Sequence, residues 1–324
     1  MSLLPQNRTI VVGHTGQDGT LLLRDLRNRG DLVVGISRSG QISPLPSIPD
    51  VTVTDAHSVR ALVDVFQPTQ VYYLAAHHHS AELNESPPTL RTQYELAHAT
   101  HVTGLLYFLD AITSTCPQAR LFYASSSLVF SGENGEVQDE NTPKSPSGIY
   151  GITKAQGMLL CHEFRTQHNI FASTGILYNH ESHLRAPTFL TAKVIRAAIR
   201  IANGSDEKLE VGNLSAKVDW GYAPDYVNAF QRILGIDTAG DFVVGSGEAH
   251  SVSEFIEIVF SHLNIDPARH LVENKNKSLR SPLVKVANSD KLRRLTGWYP
   301  PFSFRSFVIQ LVEDHIASMP WTTP

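Results

Sequence analysis

A tyrosine and a lysine, Tyr150 and Lys154, stand four residues apart near the start of a long amphipathic segment. Because residues i and i+4 lie on one face of an α-helix, this spacing predicts that the two side chains stack together. A lysine ammonium beside a phenol lowers the pKa of the phenol from its ordinary value of about 10, which allows proton exchange near neutral pH. Hydride transfer at a secondary alcohol requires such a proton acceptor.

Three consecutive serines, 125–127, follow the apolar segment "RLFYA" (120–124), upstream of the tyrosine and the lysine. The apolar run predicts a buried strand, and ligands bind outside the carboxyl ends of the strands in an open parallel sheet. We therefore expect a serine of this triplet to lie at that edge, where its hydroxyl can orient the oxygen of an alcohol. This serine, Tyr150 and Lys154 are thus the predicted catalytic residues of an oxidoreductase.

The segment "VVGHTGQDGTLL" (11–22) places three glycines, Gly13, Gly16 and Gly19, between the first predicted strand and the first predicted helix. Glycines allow the backbone to turn tightly and to approach a pyrophosphate, whose charge is stabilised by the helix N-terminus. A strand, a glycine turn and a helix at the start of a βαβ series are typical of a dinucleotide-binding site.

The end of the second predicted strand indicates which dinucleotide binds. NAD sites usually carry an acidic residue there for the ribose 2′-hydroxyl, whereas this chain has Ser37, Arg38 and Ser39. A guanidinium pairs well with a 2′-phosphate, so Arg38 favours NADP over NAD as the cofactor.

Apolar segments of strand type alternate with segments of helix type as far as residue 178. The predicted strands include "RTIVVG", "DLVVGIS", "VTVTD" (51–55), "QVYYLAA", "ARLFYAS" and "IFASTGILYN". Long helices are predicted for about 94–114 and 150–167. This alternation is typical of parallel βαβ units, so the predicted fold class is α/β, a Rossmann-type doubly wound parallel sheet.

The regular alternation of strand and helix segments ends after residue 178, where short strands, helices and proline-rich connections follow one another. We therefore expect two domains, residues 1–178 for NADP and residues 179–324 as a smaller C-terminal α/β domain for the substrate. Some segments of the second range are expected to return to the first domain.

The composition is that of an ordinary globular protein: of 324 residues, 42% are apolar and 18% are charged, with a formal net charge of −4. Acids and bases are spread along the chain, so neither a nucleic acid nor a membrane surface is an expected partner. No signal-peptide pattern and no window of about 20 apolar residues occurs, so we expect no transmembrane span. Two cysteines, Cys116 and Cys161, are too few for a disulfide framework and predict free thiols in the cytoplasm.

Several longer motifs carry a resemblance to known proteins. The chain resembles the extended short-chain dehydrogenase/reductases, and among them the GDP-mannose 4,6-dehydratase family, in "TGQDG" (15–19), "ILYNHES" (176–182), "DWGYAPDYV" (219–227) and "DFVVGSGEAHSVSEF" (241–255). This resemblance runs through nearly the whole chain. It implies NADP as cofactor, a GDP-linked nucleotide sugar as substrate, and a homodimer in which the two long helices pair.

The resemblance also implies roles for individual residues. Ser126 falls where the family has its catalytic threonine, and Tyr150 and Lys154 match its tyrosine and lysine. The residues that match its cofactor site are Gly13, Gly16, Gln17, Asp18, Gly19 and Arg38. The residues that match its nucleotide-sugar contacts are Asn179, Glu181, Arg185, Lys193 and Arg280.

One departure from the family bears on the reaction. The family's strand ends Ser-Thr-Ser-Glu-Leu-Tyr, and here Leu128 stands in place of the glutamate. In the family that carboxyl is expected to move the C5 proton and to assist the loss of water, and removing a general acid–base typically slows its step by about 10²–10⁴-fold. Oxidation or reduction at C4 needs only the tyrosine. A family arginine is also replaced, by Val218, although Lys217 precedes it.

Three consecutive histidines, His77, His78 and His79, follow the predicted strand "QVYYLAA". Neighbouring strand residues point to opposite faces, so the three cannot all bind one ion, and no metal site is predicted. One of them could lie near the sugar and take the acid–base role that Leu128 cannot fill. His180 and His183 are alternatives for that role.

Three functions are compatible with this pattern. The first is an NADP-dependent oxidoreductase acting at C4 of a GDP-linked sugar, either a 4-keto-6-deoxy-sugar reductase or a C4 dehydrogenase, and Leu128 beside an intact tyrosine and lysine favours it. The second is a GDP-mannose 4,6-dehydratase whose acid–base group has moved. The third is a catalytically idle NADP-binding regulatory subunit, which the intact Tyr150 and Lys154 oppose.

Overall fold

We describe the protein from a computed structural model over residues 7–77, 89–131, 137–274 and 284–319. The strands are β1 (Arg8–Val12), β2 (Leu32–Ser37), β3 (Gly40–Ile42), β4 (Gln70–Tyr73), β5 (Arg120–Ala124), β6 (Val137–Gln138), β7 (Phe171–Leu177), β8 (Asn179–Glu181), β9 (Leu209–Val211), β10 (Lys217–Tyr222), β11 (Asp241–Val244), β12 (Ala249–Ser251), β13 (Leu271–Glu273) and β14 (Val286–Ala287). The α-helices are α1 (Gln17–Arg29), α2 (Ala56–Phe66), α3 (Leu90–His98), α4 (Gly104–Thr115), α5 (Gly148–Gln167), α6 (Leu190–Ala202), α7 (Ala223–Ile233), α8 (Val252–His262), α9 (Pro267–His270), α10 (Asp290–Thr296) and α11 (Phe304–Ser318). Within these ranges no helix has the length and apolar character needed to span a membrane.

Seven strands form a central sheet in the order β3–β2–β1–β4–β5–β7–β11, which confirms the predicted fold class. All neighbouring pairs are parallel except β2 and β3. Helices α2, α4 and α5 pack on one face of the sheet, and α1 and α7 pack on the other. The strand order reverses between β1 and β4, so a crevice opens there at the carboxyl ends of the strands.

The prediction of a strand for "VTVTD" (51–55) is wrong. These residues form a turn, and the Asp55 carboxylate caps α2 by accepting two backbone N–H groups of its first turn. The Val51 N–H donates to the side-chain oxygen of Gln41 at 3.0 Å rather than to a neighbouring strand. The backbone N–H groups in and after this segment therefore bond to side chains and not to a neighbouring strand. The edge of the central sheet beside β2 is occupied by the antiparallel β3.

The long helix predicted for about 94–114 consists of α3, one π-helical turn (Ala99–Thr103) and α4 in succession. Tyr73 of β4 lies beside this turn, and its hydroxyl donates a hydrogen bond to the Thr100 carbonyl at 2.6 Å. A Cβ on Gly104 would stand only 2.4 Å from that hydroxyl. The helix can therefore cross the strand at this distance only because position 104 is glycine.

The second half of the chain builds a separate apolar cluster. Helices α6, α8 and α11 pack with β9 and β10 around side chains that include Trp220, Phe255 and Phe307. Three short sheets accompany them, β8–β10–β12, β9–β13 and β6–β14. Two later segments instead belong to the central sheet, because β11 pairs with β7 and α7 packs on the face of α1. The domain boundary between residues 178 and 179 stays a prediction.

A buried carboxylate joins three segments of this half. Asp219 of β10 is 1% exposed, and its Oδ1 accepts the Ser246 N–H at 2.9 Å and the Ser246 hydroxyl at 2.7 Å. Its Oδ2 accepts the N–H groups of Gly247 at 3.1 Å and Ala287 at 3.0 Å. These four donors offset part of the desolvation, although burial still raises the pKa of Asp219. They hold the loop after β11, together with β14, against β10.

We expect Asp219→Ala to lower the free energy of unfolding by about 3–5 kcal/mol, because the donors of three residues, one buried and two partly buried, lose their acceptor. Urea unfolding followed by tryptophan fluorescence measures this change. Asp237→Ala, at an exposed position, is the control and should change the free energy by less than about 0.5 kcal/mol. Similar losses in both variants would contradict the role given to Asp219.

Candidate active site

A cavity of about 1520 Å³ opens at the carboxyl ends of β1, β2, β4, β5 and β7. This is the edge that the sequence predicted for ligand binding, and the volume exceeds the roughly 300–1,000 Å³ that single small-molecule ligands usually occupy. The cavity brings together all residues that were predicted to be catalytic or cofactor-binding. These lining residues are Gly13, Gly16, Gln17, Asp18, Gly19, Arg38, Ser126, Tyr150 and Lys154.

The glycine turn between β1 and α1 is packed too closely for larger residues. Gly13 has a φ of +94°, a backbone conformation that favours glycine. A Cβ on Gly19 would stand 2.2 Å from the Gly13 carbonyl oxygen. Gly16 is the N-cap residue of α1 and has no side chain. The first N–H groups of α1 therefore receive no hydrogen bond from a capping side chain. This cradle fits a pyrophosphate group.

Side chains of the glycine turn bind the segment that begins the second half of the chain. Gln17 Nε2 donates to the His180 carbonyl at 3.1 Å, and Gln17 Oε1 accepts the Ser182 hydroxyl at 2.9 Å. The Asp18 carboxylate accepts a hydrogen bond from His180 Nε2 at 2.9 Å. Because Gln17 and Asp18 are committed to these contacts, they position the wall of the cavity as well as line it.

His180 is a buried imidazolium. Its Nδ1 donates to the Tyr178 carbonyl at 2.7 Å while its Nε2 donates to Asp18, so both ring nitrogens carry hydrogen. Burial works against the charged form, but the attraction and hydrogen bond of Asp18 outweigh it and raise the pKa of His180. Burial likewise opposes the charge of Asp18, and the same pairing lowers the pKa of that carboxyl. The two shifts therefore both favour the charged forms of Asp18 and His180, which pair as ions.

Lys154 lies beside Tyr150, as the spacing of four residues predicts. The lysine is 1% exposed, and its ammonium donates to the Ala124 carbonyl at 2.7 Å. The Nζ atom lies 5.6 Å from the centre of the Tyr150 ring and 5.1 Å from the centre of the Tyr123 ring. This hydrogen bond fixes the first turns of α5 against the end of β5, so Tyr150 faces the same cavity as Ser126.

The expected lowering of the Tyr150 pKa is wrong for this structure. Burial raises the pKa of Tyr150 to about 12, although the charge of Arg185 opposes the change. Burial also lowers the pKa of Lys154 to about 7, with the charge of Asp18 opposing, so the lysine can gain or lose a proton near neutral pH. Desolvation thus outweighs the attraction that the sequence argument assigned to the pair.

All three residues of the serine triplet line the cavity, and the hydroxyls of Ser125 and Ser126 differ in their hydrogen bonding. Ser126 Oγ accepts the N–H of Leu128 at 3.2 Å and caps a single 3₁₀ turn, Ser127–Val129. Ser125 Oγ is buried and has no hydrogen-bond partner among the described residues. A buried hydroxyl in a cavity wall is a group that a bound ligand can satisfy.

His101 is a site residue that no sequence signal marked. Its ring is fully buried, and it meets the Tyr150 ring edge-on with centres 5.2 Å apart. Its Nε2 accepts the His77 N–H at 2.9 Å, so Nδ1 carries the hydrogen and donates to Thr153 Oγ1 at 2.8 Å. Those two bonds fix a neutral tautomer and hold α5 in place next to Tyr150.

Two of the predicted nucleotide-sugar contacts, Asn179 and Arg185, line the cavity. The Arg185 guanidinium lies 3.8 Å above the centre of the Phe189 ring, and its Nε is 3.4 Å from Glu181 Oε2. Glu181 is buried and absent from the cavity wall, and it accepts a hydrogen bond from Thr191 at 2.6 Å. The structure therefore places Glu181 behind Arg185, where it positions the guanidinium.

The structure does not bring Lys193 to the cavity wall. This lysine is exposed on α6 and donates to the Glu210 carbonyl at 2.8 Å. Arg280 lies outside the described residues.

The histidine triplet gives one residue to the cavity wall, His77. His78 and His79 lie outside the described residues, and His183 is not part of the described wall. Across the described ranges, no group of three histidine, cysteine or acidic side chains is arranged to hold a metal ion.

Leu128 lies on the cavity wall with 37% of its surface exposed, so this position offers the site an apolar group. Lys285, which the sequence did not single out, lies on the same wall. Its ammonium donates to the carbonyl oxygens of Phe130 at 2.8 Å and Ser127 at 3.2 Å, on either side of Leu128. No motif surrounds Lys285 in the sequence, so only the fold reveals it.

Known proteins similar to this chain agree with its fold and its motifs. The GDP-mannose 4,6 dehydratase family matches residues 10–311. GDP-mannose 4,6 dehydratase 2 of Arabidopsis thaliana is 32% identical over 334 residues, covering 96% of this chain and 87% of the relative. GDP-mannose 4,6 dehydratase of Homo sapiens is 35% identical over 282 residues, covering 80% of this chain and 73% of the relative.

Solved structures share the fold at lower sequence identity. The structure of RMD from Pseudomonas aeruginosa complexed with NADPH has a TM-score of 0.80 and 19% identity, covering 96% of this chain and all of that one. UDP-glucose 4-epimerase of Thermus thermophilus in complex with NAD has a TM-score of 0.76 and 21% identity, with the same coverage.

The pair of Asp18 and His180 predicts a pH dependence of stability. The pKa of His180 is raised in the folded state. The imidazolium therefore stabilises the folded protein fully below pH 6.5, the ordinary pKa of histidine, and this stabilisation is lost as the pH rises through the pKa of the folded state. His180→Gln should lower the free energy of unfolding by about 1–3 kcal/mol at pH 6 and by less at pH 9. Urea unfolding at both pH values measures this, with exposed His57→Gln as the control. An equal loss at both pH values would contradict the ion pair.

Proposed function

Because this chain belongs to the GDP-mannose 4,6-dehydratase family, we propose that it is an NADP-dependent oxidoreductase that transfers a hydride at C4 of a GDP-linked sugar. The observation that carries the proposal is the cavity wall that holds Ser126, Tyr150 and Lys154 together with Leu128. Three polar groups there can serve hydride chemistry, whereas position 128 can neither donate nor accept a proton.

The proposed cofactor is NADP. The uncovered N-terminus of α1 and the glycine cradle suit its pyrophosphate. Arg38 lines the cavity at the end of β2, where a guanidinium suits a 2′-phosphate and no acidic residue competes for a ribose hydroxyl. When bound, the nicotinamide supplies or accepts the hydride.

We assign the proton transfer to Tyr150. With its pKa raised to about 12 by burial, the phenol is protonated at neutral pH and can give its proton to the oxygen of a C4 ketone as the carbon takes up a hydride. Lys154, whose pKa is about 7, can return a proton to the phenol near neutral pH. Ser126 hydrogen-bonds the C4 oxygen, and the protonated phenol favours the direction of reduction.

A second function, dehydration of GDP-mannose, is favoured by the names of the relatives at 31–35% identity. It requires a group that moves the C5 proton. The two carboxyl groups on the described cavity wall, Asp18 and Asp219, are held by other partners, and Leu128 cannot take the role. We therefore place dehydration second.

The proposed function predicts NADPH oxidation with a GDP-4-keto-6-deoxy sugar, or NADP⁺ reduction with a GDP-sugar alcohol, measured by absorbance. NADH and NAD⁺ should serve less well if Arg38 holds a 2′-phosphate.

Tyr150→Phe should lower kcat by about 10²–10⁴-fold because it removes the proton donor. Unchanged turnover in Tyr150→Phe would contradict the role of the phenol, and an inactive wild type would favour the idle regulatory subunit.

Dehydration is tested on the same protein with GDP-mannose, by following the keto product. Clean dehydration of GDP-mannose together with no turnover of the keto sugar would overturn the first function. Leu128→Glu is the informative variant, because it restores a carboxyl to the cavity wall. A gain of dehydratase activity in this variant would identify position 128 as the element that separates the two reactions.

We also propose that two copies pair through α3 and α5. These helices pack together, and their outer surfaces expose Leu90 (75%), Tyr94 (38%), Ile152 (40%) and Leu159 (68%). Apolar side chains on adjacent helices suit the same surface of a second copy.

Light scattering should therefore give about twice the mass of one chain, as expected for a twofold homodimer. Leu159→Lys should shift the protein towards the monomer, because it places a charge in the apolar contact. Val65→Lys, on an exposed position of α2, is the control and should leave the mass unchanged. A monomeric wild type would contradict this proposal.

A further inference from the structure

Lys285 places a positive charge at the end of the cavity that holds the reacting groups. Its ammonium donates to the carbonyls of Ser127 and Phe130, within the turn that follows Ser126. The same turn contacts the start of α5, since a Cβ on Gly151, next to Tyr150, would stand 2.4 Å from the Leu128 carbonyl oxygen. Lys285 is therefore anchored to the backbone that connects the catalytic serine to the tyrosine.

The backbone beside Lys285 is held from several sides. Val286 pairs with Val137 in the short β6–β14 sheet, and its carbonyl accepts the Tyr178 hydroxyl at 3.4 Å. The Ala287 N–H donates to the buried carboxylate of Asp219 at 3.0 Å. These contacts set the position of the lysine before any ligand arrives, and a charge with a fixed position can discriminate between ligands.

The charge of Lys285 has no carboxylate partner among the described residues. Its two hydrogen bonds go to neutral carbonyl groups, and the side chain is only partly open to solvent. The acids on the described cavity wall are committed elsewhere, Asp18 to His180 and Asp219 to its four donors. Burial accordingly lowers the pKa of Lys285, and an anion bound beside it would reverse that change.

We propose that Lys285 is the specificity-determining residue for an anionic substituent on the sugar, so that the preferred substrate is a nucleoside diphosphate hexuronate. The inference rests on the proposed hydride transfer at C4, and it names a substrate class other than the 6-deoxy sugars, whose C6 methyl group carries no charge. A hexuronate carries its carboxylate on C5, two bonds from the reacting C4, whereas its diphosphate is attached through C1. Because the proposed function places the C4 oxygen at Ser126, the carboxylate would be the substrate anion nearest to the turn of Ser126 and Leu128. The apolar Leu128 beside this cation also removes the carboxyl that would repel a uronate.

The experiment measures binding by isothermal titration to the NADPH-saturated protein, in which the reduced cofactor prevents oxidation at C4. The ligands are two matched pairs, GDP-mannose with GDP-mannuronate and UDP-glucose with UDP-glucuronate, together with GDP and UDP alone. The variants are Lys285→Met and a control, Lys291→Met. Lys291 also donates to a backbone carbonyl, that of Asp241 at 2.7 Å, but it is absent from the cavity wall. Thermal unfolding of each variant monitors its fold.

We expect the wild type and Lys291→Met to bind at least one uronate about tenfold or more tightly than its neutral partner, and Lys285→Met to lose that preference. A wild type that binds neither uronate more tightly overturns the inference. So does a Lys285→Met variant that weakens GDP or UDP as much as the uronate, because the lysine would then hold the diphosphate. Uronate binding without hydride transfer would leave this inference standing while the proposed function failed.

Discussion

The hydrogen bond from the buried ammonium of Lys154 to the carbonyl of Ala124 is the interaction on which the candidate active site depends. It joins the first turns of α5 to the end of β5, so that Tyr150 on the helix and Ser126 after the strand face one cavity. A charge in this position is costly, and burial lowers the pKa of the lysine to about 7. Because its pKa is lowered in this way, Lys154 can exchange protons near neutral pH. His101 supports this arrangement from the other side of Tyr150.

The cavity exists because two distant parts of the chain are held against each other at the edge of the sheet. Gln17 and Asp18 follow the glycine turn, and they bind His180 and Ser182 at the start of the second half. The turn thus has two physical tasks, since its backbone offers an uncovered helix N-terminus while its side chains fix the opposite wall. Asp219 performs a comparable task further along the chain, where its four donors join β10 to β14 and to the loop after β11.

The charges on the cavity wall favour anionic ligands. Arg38, Arg185, Lys217 and Lys285 lie on the wall. Of the wall's two carboxyl groups, Asp18 is paired with His180, and Asp219 is held by uncharged donors. This balance suits a dinucleotide and a nucleotide sugar, both of which carry diphosphates. The contrast between Leu128 and Lys285 is the most informative detail, because an apolar side chain and a cation lie side by side on the wall next to Ser126.

The sequence by itself determined the fold class, the glycine turn and the pairing of Tyr150 with Lys154, because apolar periodicity, glycine flexibility and helical spacing act over a few residues. It could not determine that Lys285 meets the turn of Leu128, or that His180 pairs with Asp18, since these partners lie 158 and 162 residues apart. The direction of the Tyr150 pKa shift likewise could not be predicted from the sequence, because the shift depends on how completely the surrounding chain excludes water. Local chemistry thus named the candidate reacting groups, and only the tertiary structure decided their burial, their protonation and their hydrogen-bond partners.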